Sequence, residues 1–153
     1  MDIVLLAVGR LRPYYRAACD DYLQRLRRYA RPAEREVREA TGGSAAVGQR
    51  QDGAALLSRI PERASVVALT REGSAWSSRE LARRLERWRA AARPLVLVIG
   101  GSRGLGTAVL EQADARWSLG PLTLPHELAR VVVLEQLYRA FTMLEGHPYH
   151  KGR

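Results

Sequence analysis

A cluster of glycines follows Leu95–Ile99, one of the longest apolar runs of the sequence. The cluster reads Gly100-Gly101-Ser102-Arg103-Gly104-Leu105-Gly106. Glycines let a backbone approach a ligand closely, and the N-terminus of a following helix offers free N–H donors. The segment is therefore a candidate binding loop, although the same glycines would also suit a tight strand–helix turn without any ligand.

The glycine spelling is similar to the dinucleotide loop of short-chain dehydrogenases. That loop should follow the first strand, with an acidic residue about twenty positions later. Here it follows the fourth predicted strand, and only 47 residues come after Gly106. Lys151 is the only lysine, which excludes both a Tyr-x-x-x-Lys pair and a Walker phosphate loop. A nicotinamide-dependent oxidoreductase is therefore a weak alternative.

Positive charge dominates the chain. Lysine and arginine number 25 against 16 aspartates and glutamates, which gives a net charge of +9 and a pI of about 10.7. This balance favours a polyanionic partner, most often a nucleic acid. Arginines that only keep the surface soluble are the default for most positions. The candidate phosphate contacts are Arg10, Arg12, Arg103, Arg130 and Arg139.

Several other classes are disfavoured by composition. Cys19 is the only cysteine, so the sequence predicts neither an intrachain disulfide nor a cysteine-rich zinc site. The longest apolar runs, Ile3–Val8 and Leu95–Ile99, are far shorter than the ~20 residues that span a bilayer. The N-terminus lacks the features of a signal peptide. We therefore expect a cytoplasmic protein with no membrane association and no metal.

The elements alternate in a way that is typical of an α/β protein. The length of 153 residues and an apolar share of 46% suit a single domain over residues 1–153. We predict a mostly parallel sheet flanked by helices, with ligands at the carboxyl ends of the strands.

Strands are predicted at Ile3–Val8, Arg35–Ala40, Ser65–Leu69, Leu95–Ile99 and Trp117–Leu119. Helices are predicted at Pro13–Tyr29, within Ala54–Ile60, after a capping box at Ser77–Glu80, briefly before Ala115, and at Pro125–Leu144. The stretch Gly42–Gly53 is predicted to be a mobile loop.

The C-terminal third carries a more specific pattern. It contains the segment Leu119-Gly120-Pro121-Leu122-Thr123-Leu124-Pro125-His126, then Arg130–Ala140, and then the tail His147-Pro148-Tyr149-His150-Lys151. With Leu5–Gly9, Leu69…Gly73…Trp76 and the glycine loop, the whole chain resembles the RlmH (YbeA-like) family of SPOUT methyltransferases. The resemblance implies methylation, with S-adenosylmethionine, of N3 of pseudouridine 1915 in helix 69 of bacterial 23S rRNA.

The resemblance also implies a fold and a cofactor site. SPOUT enzymes carry a trefoil knot in their C-terminal half, against the general bias towards unknotted chains. Three loops then surround the cofactor, and small and apolar residues wrap its adenosine. Carried over to this chain, the cofactor-binding residues are Leu69, Gly100, Leu119, Gly120, Pro121, Leu122, Thr123 and Leu124. Without the resemblance, Leu69 and Leu122 would be interpreted equally well as core residues.

The tail supplies the implied catalytic residues, Tyr149 and His150. N3 of pseudouridine is a poor nucleophile until it loses its proton, and His150 is a candidate to accept that proton. Tyr149 is a candidate to stack on the base or donate to a carbonyl. Apart from the resemblance, the tail would be interpreted as a frayed terminus. His126 is interpreted as a structural or capping histidine.

Two departures from the family's pattern stand out. Arg103 takes a position that is often acidic, which predicts a more basic mouth for the glycine loop. Lys151 follows the histidine where several relatives have arginine, so the planar guanidinium is lost there. Arg153 is a candidate to replace it.

The chain has no room for a separate RNA-binding domain, so the resemblance implies a homodimer. One protomer would hold the cofactor, its partner would contribute the tail, and the substrate would be 23S rRNA in the assembled ribosome. We predict that the dimer uses apolar surface on the last helix and Trp117, through Val131, Val132, Leu134, Leu137 and Tyr138. The alternative is a non-catalytic RNA- or ribosome-binding module, which explains the charge but neither the loops nor the tail.

Overall fold

Two apolar strands, β1 (Asp2–Val8) and β4 (Leu95–Ile99), lie side by side at the centre of the sheet. Their apolar runs are continuous because helices cover both faces of a parallel sheet. The computed structural model describes residues 1–151, so Arg153 lies outside the described residues. Within them, the strand order is β2-β1-β4-β3-β5, and all four strand pairs are parallel, as predicted. The edge strands are β2 (Arg31–Val37) and β5 (Ala115–Ser118), and β3 (Ser65–Ala75) lies between β4 and β5.

The helices divide between the two faces of the sheet. One face is covered by α1 (Pro13–Leu26), α3 (Ser78–Ala91) and α5 (His126–Leu144). The other is covered by α2 (Ala45–Leu57) and α4 (Thr107–Gln112), and a 3-10 turn at Pro148–Lys151 ends the described chain. Side chains of β1 alternate between the two cores, since successive strand residues point to opposite faces. That the chain forms one domain stays a prediction.

The predicted mobile loop at Gly42–Gly53 is wrong, because most of it belongs to α2. Ser44 caps this helix, accepting a hydrogen bond at its Oγ from the Val47 N–H at 3.2 Å. Gly48 and Gly53 are buried inside the helix, and at Gly48 the Arg103 guanidinium takes the space that a side chain would fill. Packing between elements therefore overrides the low helix propensity of glycine here.

Other boundaries also differ from the predictions. β2 begins four residues earlier than predicted and carries charged side chains, and α1 ends at Leu26 rather than Tyr29. β5 is shifted towards the N-terminus and ends at Ser118. The capping box of Ser77 and Glu80 is confirmed, with both reciprocal hydrogen bonds present.

β3 contains an irregularity that brings backbone to the edge of the sheet. Both Leu69 and Ser74 pair with Trp117 of β5, so the residues between them leave the ladder. A Cβ on Gly73 would lie 2.7 Å from the carbonyl carbon of Arg116, so only glycine fits at this crossing. The bulge directs Thr70–Glu72 towards the carboxyl edge of the sheet, where the predicted loops also lie.

Candidate functional site

A cavity of about 600 Å³ opens at the carboxyl ends of β3, β4 and β5, beside the first turn of α5. This size is typical of small-molecule sites. It brings together all three predicted cofactor segments, and Pro121 is the one predicted cofactor-binding residue that does not line it. The predicted residues in its wall are Leu69, Gly100, Leu119, Gly120, Leu122, Thr123 and Leu124.

The glycine loop is fixed from behind by α2 and by the segment after β2. Gln49 donates from its side-chain amide to the Arg103 carbonyl at 2.8 Å. Ser102 donates from its hydroxyl to a carboxylate oxygen of Glu39 at 2.7 Å. The Gly104 N–H donates to the Gly101 carbonyl at 3.1 Å and closes the turn. The cavity therefore has a preformed wall on this side.

The Arg103 side chain forms a further anchor of the loop. Its guanidinium donates to the Ala40 carbonyl at 3.0 Å and pairs with Asp52 at 3.4 Å. Asp52 is buried and also accepts the Ala40 N–H at 2.7 Å. The guanidinium lies against Gly48, where an added Cβ would be 2.5 Å from its central carbon. Arg103 was expected to make the entrance to the glycine loop more basic. The structure corrects this expectation, because the Asp52 carboxylate balances the charge of Arg103.

Gly100 is required by the loop itself. A Cβ at Gly100 would lie 2.5 Å from the carbonyl carbon of Gly104. The backbone of Gly100 lies close to the backbone of Gly104. The turn therefore requires glycine at position 100 whether or not a ligand binds.

The segment after β5 forms the opposite wall of the cavity. Ser118 Oγ accepts the Gly120 N–H and donates to the Gly120 carbonyl, each at 3.2 Å. Gly120 has φ +120°, a conformation that disfavours side chains. Leu122 is 76% exposed, so it is not a core residue, whereas Leu69 is half-buried. Leu122 thus offers a free apolar surface at the rim.

The first turn of α5 completes the wall and is tied to the end of β1. Glu127 accepts the Arg12 N–H at 2.7 Å. His126 is the first residue of α5 and lines the cavity. It is not a cap, because the capping position is Pro125 and no side chain caps this end. Its Nδ1 is buried without a hydrogen-bond partner in the described chain.

Arg130 is buried completely, which removes it from the candidate phosphate contacts. Its guanidinium donates to the carbonyls of Val8 at 3.0 Å and Gly9 at 2.6 Å. It also lies 3.7 Å from a carboxylate oxygen of Glu34 and 3.4 Å from one of Glu36. Arg130 therefore holds α5 against the ends of β1 and β2.

Arg16 contacts the same two glutamates from α1. Burial alone would lower the pKa of Arg16, but the hydrogen bond and charge of Glu34, with those of Asp20, raise it overall. Arg16 therefore stays charged, and together with Arg130 it neutralises Glu34 and Glu36.

Tyr149 packs against α5 of its own chain. Its ring meets Tyr138 edge-on at 4.7 Å between centroids, and its hydroxyl donates to a carboxylate oxygen of Glu135 at 3.1 Å. Arg139 lies over the ring and bonds the same glutamate at 2.6 Å. Desolvation, with Tyr22 and Glu135, raises the pKa of Tyr149. Tyr149 therefore stays protonated and is not a candidate base, but it can form hydrogen bonds or offer a stacking surface.

The tail does not reach the cavity of its own chain. Neither Tyr149 nor His150 is among the cavity residues. Tyr138, which Tyr149 contacts, is roughly 18 Å along the helix axis from His126 at the cavity. The structure therefore separates the predicted catalytic residues from the predicted cofactor residues.

The apolar surface predicted for a dimer is mostly used inside the protomer. Leu134, Leu137, Tyr138 and Trp117 are all buried in the core of their own chain. Only Val131 and Val132 remain half-buried. The excess of apolar surface inferred from the sequence is therefore much smaller than expected.

Some cavity residues were not predicted from the sequence. Gln49 is not predicted, because Gly42–Gly53 is predicted to be a loop. Arg71 and Glu72 belong to Leu69–Gly73, one of the strand ends at which ligands are predicted, but neither is named as a site residue, because the bulge in β3 has no clear sequence signal. Among residues 1–151, no group of three potential metal ligands occurs. The same residues contain no helix with the length and apolar character needed to cross a membrane.

Comparison with known proteins agrees with this geometry. A family model described as "Predicted SPOUT methyltransferase" matches residues 1–150. The chain belongs to the SPOUT methyltransferase family. Within it, the chain belongs with relatives named ribosomal RNA large subunit methyltransferase H, the RlmH family that the sequence resembles.

Three such relatives span nearly the whole chain. The protein from Rubrobacter xylanophilus is 51% identical over 95% of this chain and 96% of its own length. Those from Gloeobacter violaceus and Pseudomonas aeruginosa are 47% and 43% identical, each over 99% of this chain and 100% of their own. A solved structure of a methylase family protein from Neisseria gonorrhoeae has a TM-score of 0.56 at 13% identity. It covers 90% of this chain and 81% of that one, and supports the fold alone.

Proposed function

We propose that this methyltransferase uses S-adenosylmethionine to methylate N3 of pseudouridine 1915 in helix 69 of 23S rRNA. The proposal rests mainly on one observation: the three loops predicted to hold the cofactor form one cavity of suitable size. The relatives' shared name supports a large-subunit rRNA as the substrate. The trefoil knot typical of the family and a cytoplasmic location are part of the same proposal.

The residues of the cavity suit the proposed cofactor. Leu69, Leu122 and Leu124 offer apolar surface for an adenosine, and Gly100 and Gly101 line the cavity without side chains, so their backbone groups face the site. The hydrogen bonds behind the glycine loop hold that wall in place before binding. These residues would hold the cofactor by shape and by backbone hydrogen bonds, without a metal.

The cofactor supplies a methyl group on a sulfonium as its own electrophile. The cavity walls orient it and exclude water from the reacting atoms. His150 accepts the N3 proton of the target base at a ring nitrogen, which leaves N3 free to take the methyl group. Tyr149, protonated, stacks on the base or donates to one of its carbonyls.

The separation of tail and cavity favours a composite site in a homodimer. A tail docked on the far half of α5 cannot serve the cavity at the start of the same helix without leaving its own contacts. In the proposed dimer, Tyr149 and His150 of one protomer complete the cavity of its partner. The target base then lies between the two chains.

The proposal is tested with ribosomes from a strain that lacks the gene. Mass spectrometry of the helix 69 fragment should find the methyl group missing, and purified protein with S-adenosylmethionine should restore it. Calorimetry should detect cofactor binding to the protein alone. A protein that binds ribosomes but not the cofactor would instead be the non-catalytic RNA-binding module.

A further inference from the structure

We infer that exposed residues around the turn after β1 form a docking surface for the RNA substrate beside the cavity. The surface consists of Arg10, Arg12, Tyr14 and Arg38, and we call it the turn surface. Tyr14 stacks on an unpaired base, while Arg10 and Arg38 contact phosphates. The inference rests on the proposed function and adds where the RNA is held.

The turn surface lies directly against the cavity wall. A Cβ built on Gly9 would be 4.0 Å from His126 Cε1, and His126 lines the cavity. On the other side, Val8 Cγ1 is 3.1 Å from a Cβ built on Gly101 of the glycine loop. RNA held at the turn therefore has its neighbouring nucleotides at the cavity mouth.

The two phosphate-contacting arginines follow paired strand ends. The Gly9 N–H donates to the Val37 carbonyl at 2.8 Å, so Arg10 and Arg38 emerge next to each other. Both are exposed, and neither forms an ion pair in the part of the chain that the structure describes. Their charges are therefore available to a polyanion.

Tyr14 has the properties of a stacking platform. It is 59% exposed, and with Leu122 it is one of two large exposed hydrophobic side chains in residues 1–151. Its ring contacts Tyr15 at 4.6 Å between centroids, and its hydroxyl accepts a hydrogen bond from the Arg12 guanidinium at 3.0 Å. These contacts orient the ring but leave most of its surface open.

The nearby acidic groups do not cancel the basic charge of the turn surface. Glu127 pairs with Arg12 and accepts its N–H, and Glu39 keeps its negative charge while it accepts the Ser102 hydroxyl. Three arginines against these two glutamates leave the turn surface with an excess of positive charge. An open aromatic ring near basic side chains is an arrangement by which proteins bind single-stranded RNA. The partner that fits is thus an RNA with a splayed-out base next to the one in the cavity.

The test compares binding of purified 70S ribosomes by wild type, Tyr14→Ala and Tyr14→Phe in a filter assay over a range of salt. Tyr14→Ala should weaken binding by about tenfold, since stacking on one aromatic ring contributes about that much per base. Tyr14→Phe keeps the ring and should restore most of the affinity. Cofactor binding by calorimetry should stay unchanged in both variants.

The arginines are tested as a pair, with a control of equal charge. Arg10→Ala with Arg38→Ala should lower the log–log salt slope by about 1.4–1.8, the loss of two phosphate contacts. The control pair, Arg59→Ala with Arg93→Ala, removes exposed arginines at the opposite edge of the sheet and should leave the slope unchanged. Equal slopes for the two pairs would overturn the inference.

Three further outcomes are decisive. Tyr14→Ala with wild-type affinity overturns the turn surface, even if the wild type methylates rRNA. Loss of the dimer in Tyr14→Ala, by light scattering, would instead make this face a contact with a second copy. A wild type that binds ribosomes through these residues but transfers no methyl group would refute the proposed function and leave the turn surface intact.

Discussion

The contact between Arg103 and Asp52 is the most informative residue-level feature of the site. A buried carboxylate is paired with the arginine of the glycine loop, and glycine at position 48 leaves space for the guanidinium. The sequence alone could not predict this pairing, because α2 was not expected to reach residue 52. The effect of Arg103 on the cavity is therefore one of anchoring.

We expect Asp52→Ala to destabilise the protein by about 2–3 kcal/mol. The change leaves the Ala40 N–H without its partner and the half-buried Arg103 without its ion pair. Urea unfolding measures the loss, and a double-mutant cycle with Arg103→Ala isolates the coupling between the two side chains. Glu62→Ala, at an exposed site, should stay within about 0.5 kcal/mol of wild type. No coupling in the cycle would contradict an anchor.

Cys19 should be inert in the folded protein. Burial raises the pKa of its thiol to about 11, above the usual value near 8.5. At pH 8 its reaction with a thiol reagent should be roughly a hundredfold or more slower than in urea. Because the unfolded chain loses the proton first, stability should fall as pH rises from about 8.5 to 11. Equal rates with and without urea would refute the prediction.

At the scale of elements, the glycine loop and α2 allow a matched pair of substitutions. Gly100→Val places side-chain atoms into the backbone at Gly104 and should abolish cofactor binding, measured by calorimetry, in a protein that remains folded and keeps the proposed dimer. Gly53→Ala is the control, because its Cβ would only touch Val109 at 3.5 Å, an ordinary contact. It should match or slightly exceed wild-type stability, since alanine favours the helix. Normal cofactor affinity in Gly100→Val would remove that residue from the site.

The junction of α5 with β1 and β2 depends on Arg130. Arg130→Ala should cost about 3–5 kcal/mol, because Glu34 and Glu36 lose one of their two cationic partners and the Val8 and Gly9 carbonyls lose donors. Thermal unfolding measures this loss. Arg139→Ala, at a partly exposed site on the same helix, should cost far less stability. A loss below 1 kcal/mol at Arg130 would show that the buried network contributes little.

A helix or strand could be predicted where a short stretch of sequence was enough to define it. The apolar runs of β1 and β4 identify central strands, and the capping box marks the start of α3. Only the end of α2 is predicted, within Ala54–Ile60, because the glycines and polar residues before it favour a loop, while contacts with distant residues stabilise the helix. The bulge in β3 depends on two strands crossing, which local sequence does not encode.

For the whole molecule, the central prediction concerns the tail. Deleting His147–Arg153 should leave S-adenosylmethionine binding nearly normal and abolish methyl transfer, because none of the described residues from His147 to Lys151 lines the cavity. His150→Ala alone should lower turnover by roughly 10²–10⁴-fold if His150 is the general base. Calorimetry and methyl incorporation into ribosomes measure the two effects. Loss of cofactor binding on deletion would contradict the separation.

A mixed dimer distinguishes the two possible arrangements of the tail. One protomer lacks the tail, and the other carries Gly100→Val with an intact tail. Activity would require the tail to act on the partner's cavity, because the only intact cavity belongs to the tail-deleted chain. A mixed dimer that is assembled, binds the cofactor and remains inactive would show that each tail serves its own chain.

The sequence predicted much of the candidate site but not how its parts are separated. The segments around Leu69, Gly100 and Leu119–Leu124 do meet in one cavity, although Pro121 does not line it. The contacts of Tyr149 with Tyr138 and Glu135 could not be predicted, because they depend on the chain turning back after α5.

The length of α5 has a consequence for how the enzyme responds to dilution. A rigid helix keeps the tail of each chain far from its own cavity, so in the proposed dimer no single chain holds a complete site. Below the dimer dissociation constant, the rate per chain should therefore fall in proportion to total protein, and the rate per volume with its square. The rate of methylation in a cell would then depend steeply on how much of this protein is synthesised, with the dimer dissociation constant as the threshold concentration.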